Sequence, residues 1–311
     1  MISVDQIRER WLGVLAPIVT PFAEDGGLDI ASLQTNVKWL LDRGARHGNT
    51  IFLAVGSGGD FTSMSLDERK QAIRAISDVV GAKAPIIAGV QTLDVRDCIA
   101  LCQFCEDLNV DAVQISGPFY YDGRPGDTIA WFDQVARHTD IGFAVYNNWY
   151  TGYDMPIDLI DRLLDIPNSV AVKWSSPDVD VFQAGVRELS PKAVVVNNTF
   201  NTILGHMIGS RSFVSHFPNF YPEFCWAIWD LMEAGKYGEA QREFDRVMVP
   251  YGKLVRQIAR ETGGEGVFVR PAMAAIGLNG GKSRLPSRDE AVTPEIREGF
   301  RALLSETEVL V

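Results

Sequence analysis

The chain has 311 residues, 46% apolar and 22% charged, and its 40 acidic against 29 basic side chains leave a net charge of −11. This composition suits a globular protein with a large core and excludes a disordered or fibrous chain. Acidity without a basic run argues against nucleic-acid binding, which needs clustered cations, and the absence of about 18 consecutive apolar residues argues against a membrane span.

The elements follow in chain order. MISVDQIRERWLG at the start has mixed charge and no apolar secretory core. The first apolar run is VLAPIV at 14–19. Residues 29–44 read as a helix that opens on Asp29 and carries Leu33, Val37, Leu40 and Leu41 on one side. TIFLAV at 50–55 is the second run, and a helix over 65–80 opens on Ser65-Leu66-Asp67-Glu68, the spacing of a capping box. The runs continue with PIIAGV at 85–90, DAVQIS at 111–116, IGFAVY at 141–146, SVAVKW at 169–174, AVVVN at 193–197 and RSFVSH at 211–216. Continuous rather than alternating apolar runs suit strands covered on both faces, as in parallel sheets. Beyond residue 220 the strand signal stops, and 226–235, 237–261 and the tail from Pro294 read as helices. Eight strands with helices between them predict an α/β fold, a (β/α)8 TIM barrel over 1–220 with a helical C-terminal extension over 221–311. The rival, a doubly wound sheet, usually has fewer strands and a Gly-rich turn after the first.

Three apparent motifs fail. LNGGKS at 278–283 resembles the end of a phosphate-binding loop, but Ile276 stands where that loop needs a glycine. Gly56-Ser57-Gly58 follows a strand, but Phe61 occupies the third glycine position of a dinucleotide turn. Cys98, Cys102 and Cys105 have the spacing of an iron–sulfur signature. They also lie in phase with Val95, Leu101 and Leu108 on one helical face, where a thiol packs as a small hydrophobe. The four cysteines point to a reducing cytoplasm rather than a disulfide framework. The four histidines show no zinc spacing, so no metal site is expected. His216, at the end of the eighth run, reads either as a site residue or as a packing or capping histidine.

Barrel active sites lie at the C-terminal ends of the strands, so polar residues that end apolar runs carry the functional signal. Lys173 inside SVAVKW is the most informative. Burial disfavours an ammonium and exposes a neutral amine, the form that attacks a ketone to make a Schiff base. The bland alternative is a lysine that snorkels to solvent. Tyr146 ends IGFAVY, and a phenol near an imine can shuttle protons; otherwise it is a packed barrel tyrosine. Ser57, Gly58 and Gly59 offer a hydroxyl and backbone N–H groups suited to a carboxylate, or simply a tight turn.

Several segments together resemble the dihydrodipicolinate synthase / N-acetylneuraminate lyase superfamily. They are APIVTPF at 16–22, VGSGGDF at 55–61, SLDER at 65–69, SGPFYYD at 116–122, VYNNWYTG at 145–152 and VAVKWS at 170–175. The resemblance implies that Lys173 forms the imine with pyruvate or another 2-oxo acid, with Tyr146 as proton shuttle and Ser57 with nearby N–H groups on the carboxylate. Tyr120 matches a tyrosine that family members insert into a neighbouring subunit's site, which implies a homo-oligomer, dimer or tetramer. No metal and no diffusible cofactor are implied; the partners are a 2-oxo acid and an aldehyde.

The departures bear on substrate. Gly58 cannot supply the second of the family's paired hydroxyls, and Asp60 replaces a glutamate. The segment Tyr146-Asn147-Asn148-Trp149-Tyr150-Thr151-Gly152 is one residue short and lacks the family's proline. Tyr150 is the nearest equivalent of an arginine that grips the second substrate in lysine-biosynthetic members, which argues against dihydrodipicolinate synthesis. Trp149, Tyr150 and Trp174 are expected to crowd the mouth, where aromatics could stack on an apolar acceptor. Ser175 matches a position that contacts sugar hydroxyls in sialic-acid members. The leading expectation is a Schiff-base lyase or aldolase. The alternatives are a 2-oxo-3-deoxy sugar-acid dehydratase using the same lysine and a non-catalytic barrel that binds a 2-oxo acid.

Overall fold

A computed structural model of the chain describes residues 2–121 and 123–307. Asp122 of SGPFYYD and the last four residues of the expected extension lie outside the described residues. Eight strands close into a parallel barrel in sequence order. They are β1 (Gly13–Pro17), β2 (Thr50–Ala54), β3 (Ile86–Gly89), β4 (Ala112–Ile115), β5 (Gly142–Tyr146), β6 (Ser169–Trp174), β7 (Val194–Asn197) and β8 (Ser212–Val214). Each coincides with one of the expected apolar runs, β1 starting one residue before its run at Gly13. Every residue of β1 to β7 is buried, which is why those runs are continuous. β8 is shorter than its run and stops before Ser215 and His216.

A short helix absent from the sequence reading, α1 (Val4–Arg10), opens the fold with a capping box between Ser3 and Gln6. The helix expected over 29–44 is α2 (Ile30–Asp42), with the Asp29 carboxylate accepting from Ser32 N at 3.0 Å. α3 (Leu66–Val80) carries the expected capping box: Glu68 N donates to Ser65 Oγ at 3.2 Å, and Ser65 N to Glu68 Oε2 at 2.9 Å. α4 (Val95–Glu106), α5 (Pro125–Ala136), α6 (Ile157–Leu163), α7 (Val179–Leu189) and α8 (Thr202–Met207) alternate with the later strands. Cys98, Cys102 and Cys105 are buried on α4. A hydrogen bond with Cys98, together with burial, holds the Cys102 thiol well above its usual range, so it stays protonated.

The chain divides into two compact units. The first comprises Met1–Leu15, Arg46–Leu53 and Gly81–Val214. Its core joins Ile7 and Trp11 of the N-terminal segment to Leu15, Leu53, Ile87 and Ala144 of the strands. Burial of such side chains contributes about 25 cal/mol per Å² of apolar surface.

The second unit comprises Ala16–Ala45, Ala54–Val80 and Ser215–Val311. Its C-terminal part is helical, as expected: α9 (Pro222–Glu233), α10 (Tyr237–Ala259), α11 (Gly266–Ala275) and α12 (Pro294–Glu306). Phe217, Phe220, Phe224 and Tyr251 stack within it, at centroid distances of 4.7 to 4.9 Å from Phe217. Arg284 ties the C-terminal segment to α3 by a forked pair with Glu68, NH2–Oε1 2.6 Å and NH1–Oε2 3.0 Å. The guanidinium bonds hold the Glu68 carboxyl down at about 2, from 4.5. A depressed carboxyl stabilises the fold above its unfolded value and loses that contribution as pH falls through the folded one. Arg284→Met should therefore be destabilised most above pH 4.5, with its gap to wild type narrowing as pH falls toward 2. Urea unfolding across this range reads the gap, and a gap that stays constant with pH would refute the Glu68 contribution.

Candidate active site

The residues singled out from sequence fall into two groups, one in each unit. In the first unit, Lys173 and Tyr146 are paired residues on neighbouring strands β6 and β5. Both are buried, Lys173 to 4% exposure and Tyr146 to 5%. The Lys173 Nζ stands 4.2 Å from the centroid of the Tyr146 ring. The lysine therefore does not snorkel to water: its amine lies against an aromatic face at the end of a buried strand.

Trp174 explains the aim of that lysine. Its indole N–H donates to Phe182 O of α7 at 3.0 Å, and its ring packs on Gly185, where a Cβ would fall 2.4 Å from the indole. Successive strand residues point to opposite faces, so a Trp174 fixed against α7 sends Lys173 the other way. This corrects the expectation that Trp174 crowds the mouth: it is buried under a helix. Trp149 and Tyr150 do remain exposed, at 44% and 53%, in an edge-to-face pair.

The ends of β5 and β6 are tied together by polar bonds. Asn147 Nδ2 donates to Ser175 O at 3.1 Å and to Asp154 Oδ1 at 2.8 Å, and Ser175 Oγ donates to Asn147 O at 3.0 Å. Ser175 is thus fully buried and its proton engaged, a bracing role that its place in the sequence did not reveal. Sequence reasoning also missed two amides. The Asn148 Oδ1 and both side-chain polar atoms of Gln114 are buried without a hydrogen-bond partner among the described residues. Orphaned buried polar atoms are uncommon and mark places where a ligand or water can be bound. Tyr120 and Tyr121, in the loop after β4, are 75% and 79% exposed and meet edge to face.

In the second unit, Ser57, Gly58 and Gly59 form a 3-10 turn directly after β2. Val55 enters it at φ 56° and Asp60 leaves it at φ 55°. A β-branched residue in the left-handed region is strained by about 1–3 kcal/mol, an arrangement that clusters at functional sites. The Gly59 N–H, one of the expected carboxylate donors, is taken by Gly56 O at 3.0 Å within the turn. Asp60 is braced by Arg270 at 2.6 Å, both side chains under a tenth exposed. Burial pushes the Asp60 carboxyl up and the guanidinium draws it back.

His216 belongs to the same unit. Its carbonyl accepts from Asn219 N at 3.1 Å and Asn219 Nδ2 at 3.0 Å. Its ring lies over Gly58, and its Nε2 is 3.2 Å from Glu265 Oε2. These contacts are those of a packing and capping histidine. Glu265 lies 49 residues away in the chain, so no local pattern could have linked them. No group of three or more His, Cys, Asp or Glu side chains that could hold a metal ion occurs among the described residues, and none of their helices is long and apolar enough to cross a membrane.

The chain is similar to known proteins over nearly its whole length. The chain is 28% identical to N-acetylneuraminate lyase of Rhizobium meliloti over 302 residues, 94% of this chain and 95% of that one. It is 27% identical to 4-hydroxy-tetrahydrodipicolinate synthase of Methanoculleus marisnigri over 293 residues, 92% of this chain and 97% of that one. In fold it is similar to the chloride-inhibited dihydrodipicolinate synthase of Acinetobacter baumannii, solved with pyruvate, with a TM-score of 0.85 at 24% identity, covering 96% of this chain and 99% of that one. It is likewise similar to the prophage protein YagE of E. coli K12, also solved with pyruvate, with a TM-score of 0.84 at 20% identity, covering 96% and 99% of the two chains. The model of the dihydrodipicolinate synthetase family matches residues 10–307, and the chain belongs to that family.

Proposed function

We propose that this protein is a class I lyase or aldolase in which Lys173 forms a Schiff base with pyruvate or a pyruvate-derived 2-oxo acid. The observation that carries the reading is the buried Lys173 amine against Tyr146, on paired strand ends of a family barrel. Relatives solved with pyruvate support the substrate class.

The chemistry follows from the residue types. The neutral Lys173 amine adds to the ketone carbon, and Tyr146 passes a proton to the carbinolamine hydroxyl, which leaves as water. The iminium then withdraws electrons, so a bond to C3 can break and its pair form an enamine. The enamine adds to an aldehyde, or is produced when a C3–C4 bond cleaves and an aldehyde departs. The Ser57 hydroxyl and the Gly58 N–H are the groups we assign to the substrate carboxylate, with Gly59 keeping the turn open to it. Asn148, Trp149 and Tyr150 are assigned to the second substrate, and Ser175 to bracing the end of β6.

Borohydride reduction with pyruvate, read by mass spectrometry, tests the central step. An adduct on Lys173 is expected in wild type and none in Lys173→Ala; a wild type unmodified by pyruvate and by longer 2-oxo acids would remove the reading. Tyr146→Phe should lower kcat by about a hundredfold with little change in KM. Equal kcat in the two proteins takes Tyr146 out of the mechanism.

The exposed Tyr120 is assigned to the site of a second copy, which makes the working form a dimer or tetramer in the cytoplasm. Light scattering should return a mass of two or four chains, and Tyr120→Ala should lower kcat while leaving that mass unchanged. A monomer with full activity would exclude the assignment.

A further inference from the structure

Asn148 differs from the two residues that follow it in the same loop. Trp149 and Tyr150 are 44% and 53% exposed, whereas Asn148 is 5% exposed and its Oδ1 is buried without a partner among the described residues. A buried carbonyl oxygen is costly until something donates to it. Asn148 lines a small cavity together with Tyr146, Ser116, Thr151, Phe119 and Met155, all in the first unit. The cavity volume is about 10 Å³, room for a single water and too little for a substrate. A void walled only by apolar side chains stays dry, and a bound water needs about two to four polar partners. This cavity offers the unsatisfied Asn148 oxygen, and a phenol and two hydroxyl side chains are among its walls. Those walls are fixed: Asn147 N donates to Lys173 O at 3.0 Å, Met155 N to Asn147 Oδ1 at 2.9 Å and Thr151 N to Asn148 O at 3.1 Å. The loop that carries Asn148 is thus tied to the strand of the lysine and closed on itself.

We propose that Asn148 Oδ1 holds one water beside Tyr146, and that this is the water lost and regained at C2 of the substrate as the Lys173 imine forms and hydrolyses, a role that rests on the Schiff-base reading above. Tyr146 links the cavity to the amine: it lines the cavity, and its ring centroid is 4.2 Å from Lys173 Nζ. In the forward direction the C2–O bond of the carbinolamine breaks as the nitrogen pair forms C=N. Tyr146 gives its proton to the departing oxygen, and the water passes to Asn148. In the reverse direction Asn148 accepts one O–H of the water, which leaves an oxygen pair free to add to C2. The other proton returns to the Tyr146 phenolate, and the C=N π pair returns to nitrogen. Asn148 is thus a positioning residue that touches the water and not the reacting carbon, and the role concerns Oδ1 alone.

Pyruvate alone isolates this step from the second substrate. Borohydride quenching at increasing times gives the rate at which the Lys173 imine forms and its final occupancy. Dilution into pyruvate-free buffer before the quench gives the rate of hydrolysis. Asn148→Leu, close in size but without the acceptor, should slow both rates by the same factor, about tenfold, the worth of one hydrogen bond. Its final occupancy should match wild type, because a water held for both directions lowers one barrier and leaves the equilibrium alone. A side chain that merely props the loop would instead shift the occupancy. A crystal structure of the wild type at high resolution should show one ordered water bonded to Asn148 Oδ1. Wild-type rates in Asn148→Leu, a fall in its final occupancy, or a wild-type crystal with no water on that oxygen would overturn the role, and the last does so while the imine on Lys173 still stands. A wild type that traps no 2-oxo acid removes the Schiff-base reading first and this role with it.

Discussion

A lysine stays dry at the end of a barrel strand when the residue beside it in sequence anchors the strand on the opposite face. In β6 that anchor is Trp174, whose indole N–H is bonded to Phe182 O and whose ring packs on Gly185. The strand period of two then sends Lys173 to the other face, where its amine meets the Tyr146 ring. The polar bonds between Asn147 and Ser175 hold the ends of β5 and β6 together, so the amine and the Tyr146 ring keep their spacing. The Lys173–Tyr146 contact is in this sense a by-product of packing on the outside of the sheet.

The second unit is organised around a different constraint. A tight turn after β2 carries strained backbone at Val55 and Asp60, and the buried Asp60–Arg270 pair holds the exit of that turn. Breaking such a pair by removing one partner is expensive, about 3–5 kcal/mol, because it leaves a buried charge uncompensated. The turn is therefore rigid, with Gly58 open toward His216 and the ring of His216 held by Glu265.

Much of the fold was legible because burial on both faces writes itself into the strands as unbroken apolar runs. β8 was less so: its run includes Arg211, Ser212, Ser215 and His216, and only three residues pair as a strand. The helix α1 went unread because seven residues of mixed charge give no period to detect. Lys173 and Tyr146 stood out as polar residues closing apolar runs. The direction of Trp174, the bracing by Ser175 and the His216–Glu265 contact did not, because each depends on which face of an element meets which distant residue. The capping box at Ser65 and Glu68 shows the converse: an interaction confined to four consecutive residues is written in full in the sequence.

On the Schiff-base reading proposed above, the tight seat of Trp174 on Gly185 also means that catalysis can be damaged from behind. Even one methyl group on α7 would press on the indole, rock the strand and turn the amine away from its ring partner, while every reacting group stayed chemically intact. Drift at such an outer position would register as a loss of turnover with an unaltered set of functional residues. The helix layer is thus part of the aiming mechanism, and sequences of this kind are constrained there as much as at the mouth.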